Sequence, residues 1–237
     1  TTDESQLLFL NRIRSDQPSR EQLQEYFGDR HWGDRSLEDC VGTGLRYAEE
    51  SGRPFPWLCT TNSGASEVCR AAIQHKGLTA AELAGGYACD PTTKSDLGIV
   101  AKKGTLLRLS RNFDKTRGFV NGAYAEIEDS LWGNAVFTAR LIGTGNMVLV
   151  HPMEEDGARF LPCCYGYATT IKRAQGASLD QGSIYFDQKK YPAGRGCGYV
   201  AVSRFKTRDG CRIYGTLRRT DFLPVGEQNE TEVLERG

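Results

Sequence analysis

The sequence predicts an α/β domain that is interrupted by a small all-β insertion and preceded by a helical segment. Three observations carry this. Capped runs with helical apolar spacing fill the first fifty residues. A strand, turn and helix follow from Trp57. Between Ile99 and Tyr165 the apolar period then shortens to that of strands, before mixed character returns after Gly166.

In the amino-terminal segment, Leu7, Leu8, Leu10 and Ile13 form an apolar stripe behind Asp3, a capping residue. Ser19 and Gln22 have capping-box spacing ahead of Leu23, Tyr26 and Phe27, and Gly28 stops this second helix. Ser36 opens a third helix, which carries Leu37, Val41, Leu45 and Ala48 to Gly52. Arg53-Pro-Phe-Pro56 then breaks the pattern, so residues 1–54 are expected to form a helical segment of their own.

Trp57 to Thr61 reads as a buried strand, and from Ser63 a helix with Val68, Cys69, Ala72 and Ile73 runs to Gly77. From Leu78 to Leu97 the signal is weak, with Gly85-Gly86 and Asp90-Pro91 marking loop. Five short strand-like runs follow at 105–109, 123–127, 135–141, 147–150 and 158–161, separated by Gly, Asn and Asp. So many strands in so short a span predict a small barrel at 98–161, inserted into an α/β domain made of 55–97 and 162–224. Further strands are expected at 182–187 and 211–217, a helix around Tyr199 to Phe205, and a flexible tail at 225–237.

Composition narrows the function classes. The 39% hydrophobic and 25% charged content is that of a folded globular chain and excludes disorder. The apolar runs, such as Met147 to Val150, fall far short of the roughly 20 residues that cross a bilayer, so no membrane association is expected. Thirty basic and thirty acidic residues cancel, so any nucleic-acid contact must be local. Basic residues gather at Lys172-Arg173, at Arg204, Lys206 and Arg208, and at Arg218-Arg219. The eight cysteines include no Cys-x-x-Cys pair and the three histidines are scattered, so no metal site is expected. Several cysteines sit among apolar neighbours and read as buried reduced thiols, which fits an intracellular reducing compartment, be it nucleus, mitochondrion or cytoplasm. The amino end is polar and begins without Met, which leads to the expectation of a piece cut from a longer protein.

Chemistry concentrates between Thr169 and Gly176. Two hydroxyls lead into Lys172, Arg173, Gln175 and a glycine, a mixture suited to anions, because hydroxyls donate to phosphate, cationic groups neutralise it, and glycine lets the backbone approach. The same residues also fit the start of an amphipathic helix with a basic surface. Tyr124, Trp132 and Phe137 either stack with bases or fill the barrel core, core being the commoner fate. Asp3-Glu4 reads as a helix cap and not as a metal-holding acidic pair, and Gly143-Thr-Gly145 as a turn. Asn229-Glu-Thr231 has the spacing of a glycosylation acceptor, with nothing else pointing to secretion.

Tyr167 to Gly176 resembles the Thr-x-His-Lys-x-Gln-Gly motif of the PIF and RecD-like superfamily-one DNA helicases, and other motifs of that family occur in the family's order. Leu58 to Asn62 is similar to the strand and polar turn that open its second motor domain. Gly104 to Asn112 with Asp114, then Gly118 to Gly122, is similar to Gly-x-x-Val-x-Leu-x-x-Asn-x-Asp followed by Gly-Leu-x-Asn-Gly. Pro162 precedes Tyr167 as the family expects, and Tyr199-Val-Ala-Val-Ser-Arg204 resembles the last motif. Lys172 stands where the family has histidine and Arg173 where it has lysine, so positive charge is kept while an imidazole is lost.

The resemblance implies a RecA-like second motor domain split by an SH3-like β-barrel, with residues 1–54 belonging to the end of the first motor domain. It implies that Asn62, Thr170, Lys172 and Arg173 bind the backbone of single-stranded DNA. Gln175 and Gly176 would lie at the hinge between DNA and nucleotide, and Arg204 would be the arginine finger on the γ-phosphate. No Gly-x-x-x-x-Gly-Lys-Ser/Thr loop occurs in the sequence, so ATP and Mg²⁺ are expected mainly on a P-loop motor domain outside this chain, and the chain alone is expected to be inactive. The expected function is the carboxyl-terminal portion of an ATP-dependent 5′-to-3′ DNA helicase, of use in DNA repair and recombination. A rival reading is a non-catalytic single-strand-binding or protein-interaction module whose P-loop half has been lost. A third, a nuclease-linked RecD-like subunit, would need further partner proteins.

Overall fold

A computed structural model describes residues 3–225. The tail expected at 225–237 and the Asn229 acceptor lie, Val225 apart, outside the described residues.

Helix α1 (Glu4–Ser15) is capped by Asp3, whose carboxylate accepts from the Gln6 backbone N–H. Its buried face is Gln6, Phe9 and Ile13. The expected stripe holds in part: Ile13 is buried and Leu10 packs against the core, whereas Leu7 and Leu8 are 42% and 64% exposed. The buried Gln6 amide explains the rotation, because it donates to the carbonyls of Val202 and Phe205 at 3.1 Å each and accepts from the Tyr26 hydroxyl. Helix α2 (Arg20–Phe27) starts with the reciprocal Ser19 and Gln22 capping box, and α3 (Leu37–Ser51) starts at Ser36 and ends with Gly52 in the left-handed region.

Strand β1 (Trp57–Cys59) leads to helix α4 (Asn62–His75), capped by Thr61, and to the short α5 (Ala80–Ala84). The weak signal after Leu78 hid α5, which is too short to show a period and rests on a Thr79 and Glu82 capping box. The insertion supplies β2 (Leu106–Leu109), β3 (Tyr124–Trp132), β4 (Val136–Leu141), β5 (Met147–Val150), β6 (Met153–Glu155), β7 (Ala158–Phe160) and β8 (Cys163–Tyr165). The chain then returns through β9 (Ala168–Thr170), β10 (Gly182–Tyr185), α6 (Cys197–Val202) and β11 (Cys211–Tyr214).

The strands β11, β10, β1 and β9 form, in that order, an all-parallel sheet. Such a sheet needs cover on both faces, and the strand alternation divides its side chains between two cores. Trp57 and Cys59 point into the core shared with α3 and α4, whereas Leu58, Ile184 and Ile213 join Phe9, Ile13, Leu23 and Phe27 from α1 and α2 on the other face. The helices of residues 1–54 are therefore built into the layers that cover this sheet.

The insertion forms a five-stranded antiparallel sheet in the order β5-β4-β3-β2-β8. The run expected at 158–161 is not in it, since β7 pairs only with β6 as a two-stranded hairpin. Its place is taken by β8, which pairs with β2 from Leu107↔Tyr165 to Leu109↔Cys163. The inserted sheet thus reaches past the expected boundary at 161, and the pairings leave β5 and β8 as its edges. Phe137 is fully buried in its core, Tyr124 is partly buried, and Trp132 is 79% exposed at the end of β3, so the three aromatics part company.

Candidate nucleic-acid interface

The parallel sheet reverses its order around β1, with β9 added on one side and β10 on the other. In open α/β sheets the carboxyl ends of strands at such a reversal form a crevice that receives ligands. The candidate residues fall there. Asn62 follows β1 as the first residue of α4, and Thr170 to Gly176 leave the end of the adjacent strand β9, whose Thr170 pairs with Cys59.

The turn between β1 and α4 is held by Asp187, two residues beyond the end of the neighbouring strand β10. Its carboxylate accepts from the Thr60 and Thr61 backbone N–H groups at 2.8 and 3.1 Å and from the Thr61 hydroxyl. Gly64 is required beside it, because a Cβ there would collide with that carboxylate. Asp187 fixes the register in which Asn62 is presented.

Arg173 brings the two loops together. Its guanidinium donates to Asn62 Oδ1 at 3.1 Å and to the Thr92 carbonyl at 3.2 Å. Burial lowers the Arg173 pKa, and the neighbouring Arg108 guanidinium pushes the same way, while the Cys164 thiol opposes. Thr170 is buried, and its hydroxyl accepts from the Arg173 backbone N–H at 3.4 Å, so in this structure it serves the turn itself. Lys172 is exposed.

The turn continues through exposed Gln175 and Gly176, the latter at φ +86°, where a side chain would be strained. Beyond it, Leu179 exchanges backbone hydrogen bonds with the Arg204 carbonyl and the Lys206 N–H. This stitches the Gln-Gly turn to the end of α6. The half-buried Arg204 donates from Nε to the Val200 carbonyl at 3.2 Å and from Nη2 to Ser203 Oγ at 2.9 Å, with Nη1 at 3.5 Å from the Ala177 carbonyl. Its guanidinium thus lies beside the Gln175-Gly176 turn, at the opposite end from Arg173.

Sequence reasoning missed Arg108, Thr92 and Asp187. Arg108 occupies an ordinary alternating position of β2, and Thr92 acts through its carbonyl, which no side-chain pattern reveals. Asp187 carried a legible signal, a carboxylate two residues past the end of a buried strand. Thr92 is in turn fixed by the fully buried Asp90, which accepts from Thr92 N and Oγ1, Ser110 Oγ and the Arg111 guanidinium. All eight cysteines are free, and the Cys164 thiol, in the wall beside Arg108, is pushed up to about 11 by burial against the pull of both arginines. Among the described residues no group of three His, Cys, Asp or Glu side chains could hold a metal ion, and no helix is long and apolar enough to cross a membrane.

The described residues thus form an α/β domain whose parallel sheet carries basic turns at its switch point, with the Arg204 guanidinium beside the Gln-Gly turn. No family model and no curated protein matches the chain. Among solved structures it is similar to the Pif1 helicase from Bacteroides in complex with ADP-AlF3 and ssDNA, with TM-score 0.68 and 16% identity over 99% of this chain and 54% of that one. The Bacteroides Pif1 bound to ssDNA matches with TM-score 0.63 and 18% identity over 99% and 53%. The Pif1 helicase from Candida albicans matches with TM-score 0.63 and 17% identity over 98% and 57%. The chain has the fold of, and spans about half the length of, these Pif1 helicases, which agrees with the expected carboxyl-terminal half.

Proposed function

We propose that this chain is the carboxyl-terminal portion of an ATP-dependent 5′-to-3′ DNA helicase, a RecA-like second motor domain carrying an SH3-like insertion. In this reading Asn62, Lys172 and Arg173 hold the backbone of single-stranded DNA, and Arg204 closes on a nucleotide carried by a P-loop domain outside the chain. One observation carries it: Arg173 and Arg204 flank a single turn, Thr170 to Ala177, each within hydrogen-bonding reach of that turn's backbone or its neighbours. A cation for DNA within one short segment and a cation for nucleotide beside it would let either site move the other. The free thiols fit a reducing intracellular compartment.

The residues at the Gln-Gly turn fit an anionic phosphate chain, because a half-exposed guanidinium and a glycine that leaves the backbone open are the groups present. They do not fit Mg²⁺, which takes carboxylate and water oxygens. ATP would supply the free energy of phosphoryl transfer. The part of this chain is to place Arg204 against developing phosphoryl charge and to keep Gln175-Gly176 at the seam.

In the full-length protein, Arg204→Ala is expected to lower DNA-stimulated ATP hydrolysis by about 10³-fold or more while leaving binding of single strands intact. Unchanged turnover would remove Arg204 from this role. A second reading, a non-catalytic single-strand-binding module, is favoured by one feature: the Arg204 guanidinium is satisfied within the chain by Val200 and Ser203. Under that reading the full-length protein has no P-loop partner and Arg204→Ala alters nothing but local stability.

A further inference from the structure

Between the inserted sheet and the parallel sheet lies a cleft of about 40 Å³ whose wall includes Asn62, Lys94, Arg108, Thr169 and Arg173. About 10–15 Å³ holds one water, so the cleft takes only a few water-sized groups, the scale of a phosphate's oxygens. Its electrostatics are unusual. Arg108, from β2 of the insertion, donates from Nη1 to Thr169 Oγ1 and from Nη2 to the Arg173 carbonyl, each at 3.3 Å. Arg173 likewise donates only to an amide oxygen and a carbonyl.

Two half-buried guanidiniums of like charge therefore share one wall with neutral acceptors alone. No carboxylate lines the cleft, and Asp96, which reaches Ser66 on its wall, is paired with Arg70. A half-buried cation normally sits opposite an anion, because desolvation is offset only by opposite charge or by strong hydrogen bonds. Bonds at 3.1–3.3 Å from a guanidinium to neutral oxygens lack the ion-pair attraction that an anionic oxygen would add, so a phosphate can replace them with a gain.

We infer that Arg108 is a DNA-binding residue: with Arg173 and Asn62 it seats one phosphodiester of the single strand, so that the DNA backbone bridges the inserted sheet and the parallel sheet. This rests on the single-strand-binding reading above and extends it to a residue of the insertion. Lys94, held in the left-handed region at φ +53°, adds a third positive charge at the rim.

The test is a fluorescence-anisotropy titration of a labelled oligothymidylate with the 237-residue chain across a series of salt concentrations. Arg108→Ala is expected to weaken binding about tenfold, the loss of one charge-assisted contact. It should also reduce the slope of log affinity against log salt by about 0.7, the value for one phosphate contact on a single strand. Arg108→Lys should restore the slope and only part of the affinity, since an ammonium cannot fork across two oxygens. Should Arg108→Ala unfold by circular dichroism, Arg108→Gln, which keeps a donor to Thr169 without charge, must show the same loss of slope. Arg140→Ala, which removes an exposed arginine paired with Glu128 on the inserted sheet, should leave the slope unchanged. A wild-type slope in Arg108→Ala or Arg108→Gln, alongside a reduced slope in Lys172→Ala, overturns the inference and leaves the DNA reading standing. Absence of salt-sensitive binding by the wild-type chain overturns both.

Discussion

The Gln6 amide near the start of the described chain donates at 3.1 Å to the Val202 carbonyl, at the end of the helix that precedes Arg204. A second bond from the same nitrogen goes to Phe205, just beyond Arg204, so the first helix brackets the segment bearing the candidate finger. Gln6 is completely buried and also receives the Tyr26 hydroxyl. Gln6→Ala therefore takes this partner from the Phe205 carbonyl and the Tyr26 hydroxyl and removes one of the two bonds to the Val202 carbonyl, which keeps the Phe205 N–H. The expected cost is about 2–3 kcal/mol, read as a lower urea midpoint at unchanged m-value. A loss below about 0.5 kcal/mol would mean that water replaces the amide and that α1 does not brace Arg204.

Lys172 and Arg173 separate by the way each is held. Lys172 is exposed, so Lys172→Ala should lower the salt slope of oligothymidylate binding by about 0.7 with stability unchanged. Arg173→Ala should lower the slope similarly and also cost about 1 kcal/mol of stability, because it breaks the link between Asn62 and Thr92. Equal slopes in wild type and both variants would leave Lys172 a solvated surface charge and Arg173 a link between Asn62 and Thr92 without a DNA role.

Asp90 sets an acid limit on the loop that supports Arg173. Burial alone would raise its pKa, but hydrogen bonds from Arg111, Thr92 and Ser110 outweigh burial and hold it at about 2, below the ordinary 3.8. A depressed folded-state pKa stabilises above the unfolded value and is lost as pH falls toward the folded one. The chain should accordingly lose on the order of 2 kcal/mol between about pH 4 and pH 2 from this group. Asp90→Asn should be less stable at pH 7 and show a flatter profile across that window; an unaltered profile would assign the acid limit to other groups.

Phe137 and Trp132 lie on adjoining strands of one hairpin with opposite fates. Phe137→Ala, in a fully buried position, should cost about 3–5 kcal/mol, whereas Trp132→Ala, at a site 79% exposed, should stay within about 0.5 kcal/mol. Thermal or urea unfolding of the two variants decides this. A large loss at Trp132 would mean that its ring packs on the hairpin in solution.

How much of this was legible depended on whether a local rule or a distant partner set each feature. Ser19, Ser36 and Gly52 act within a few residues of themselves, and the caps and stops they announce are present. The face of α1 was not legible, because the preference for Gln6 over Leu7 and Leu8 comes from carbonyls nearly two hundred residues away. Likewise Cys163 to Tyr165 is apolar on any reading, and only its pairing with β2 assigns it to the insertion and not to the domain that follows. In the candidate site, Arg173 and Arg204 stood out through motif resemblance, whereas Arg108 became visible only when two sheets were set side by side.

The placement of the insertion bears on how the chain is made. Strand β1 is central to its sheet, yet both of its neighbours are synthesised on the order of a hundred residues later, after the entire antiparallel unit. A nascent chain must therefore carry Trp57-Leu58-Cys59 with two bare edges while the insertion, whose pairings are mostly between successive strands, assembles beside it. Ribosomal pausing or truncation before Ala168 would leave both edges exposed, and before Ser183 the edge that β10 covers, which makes that interval the point at which a chaperone has most to protect.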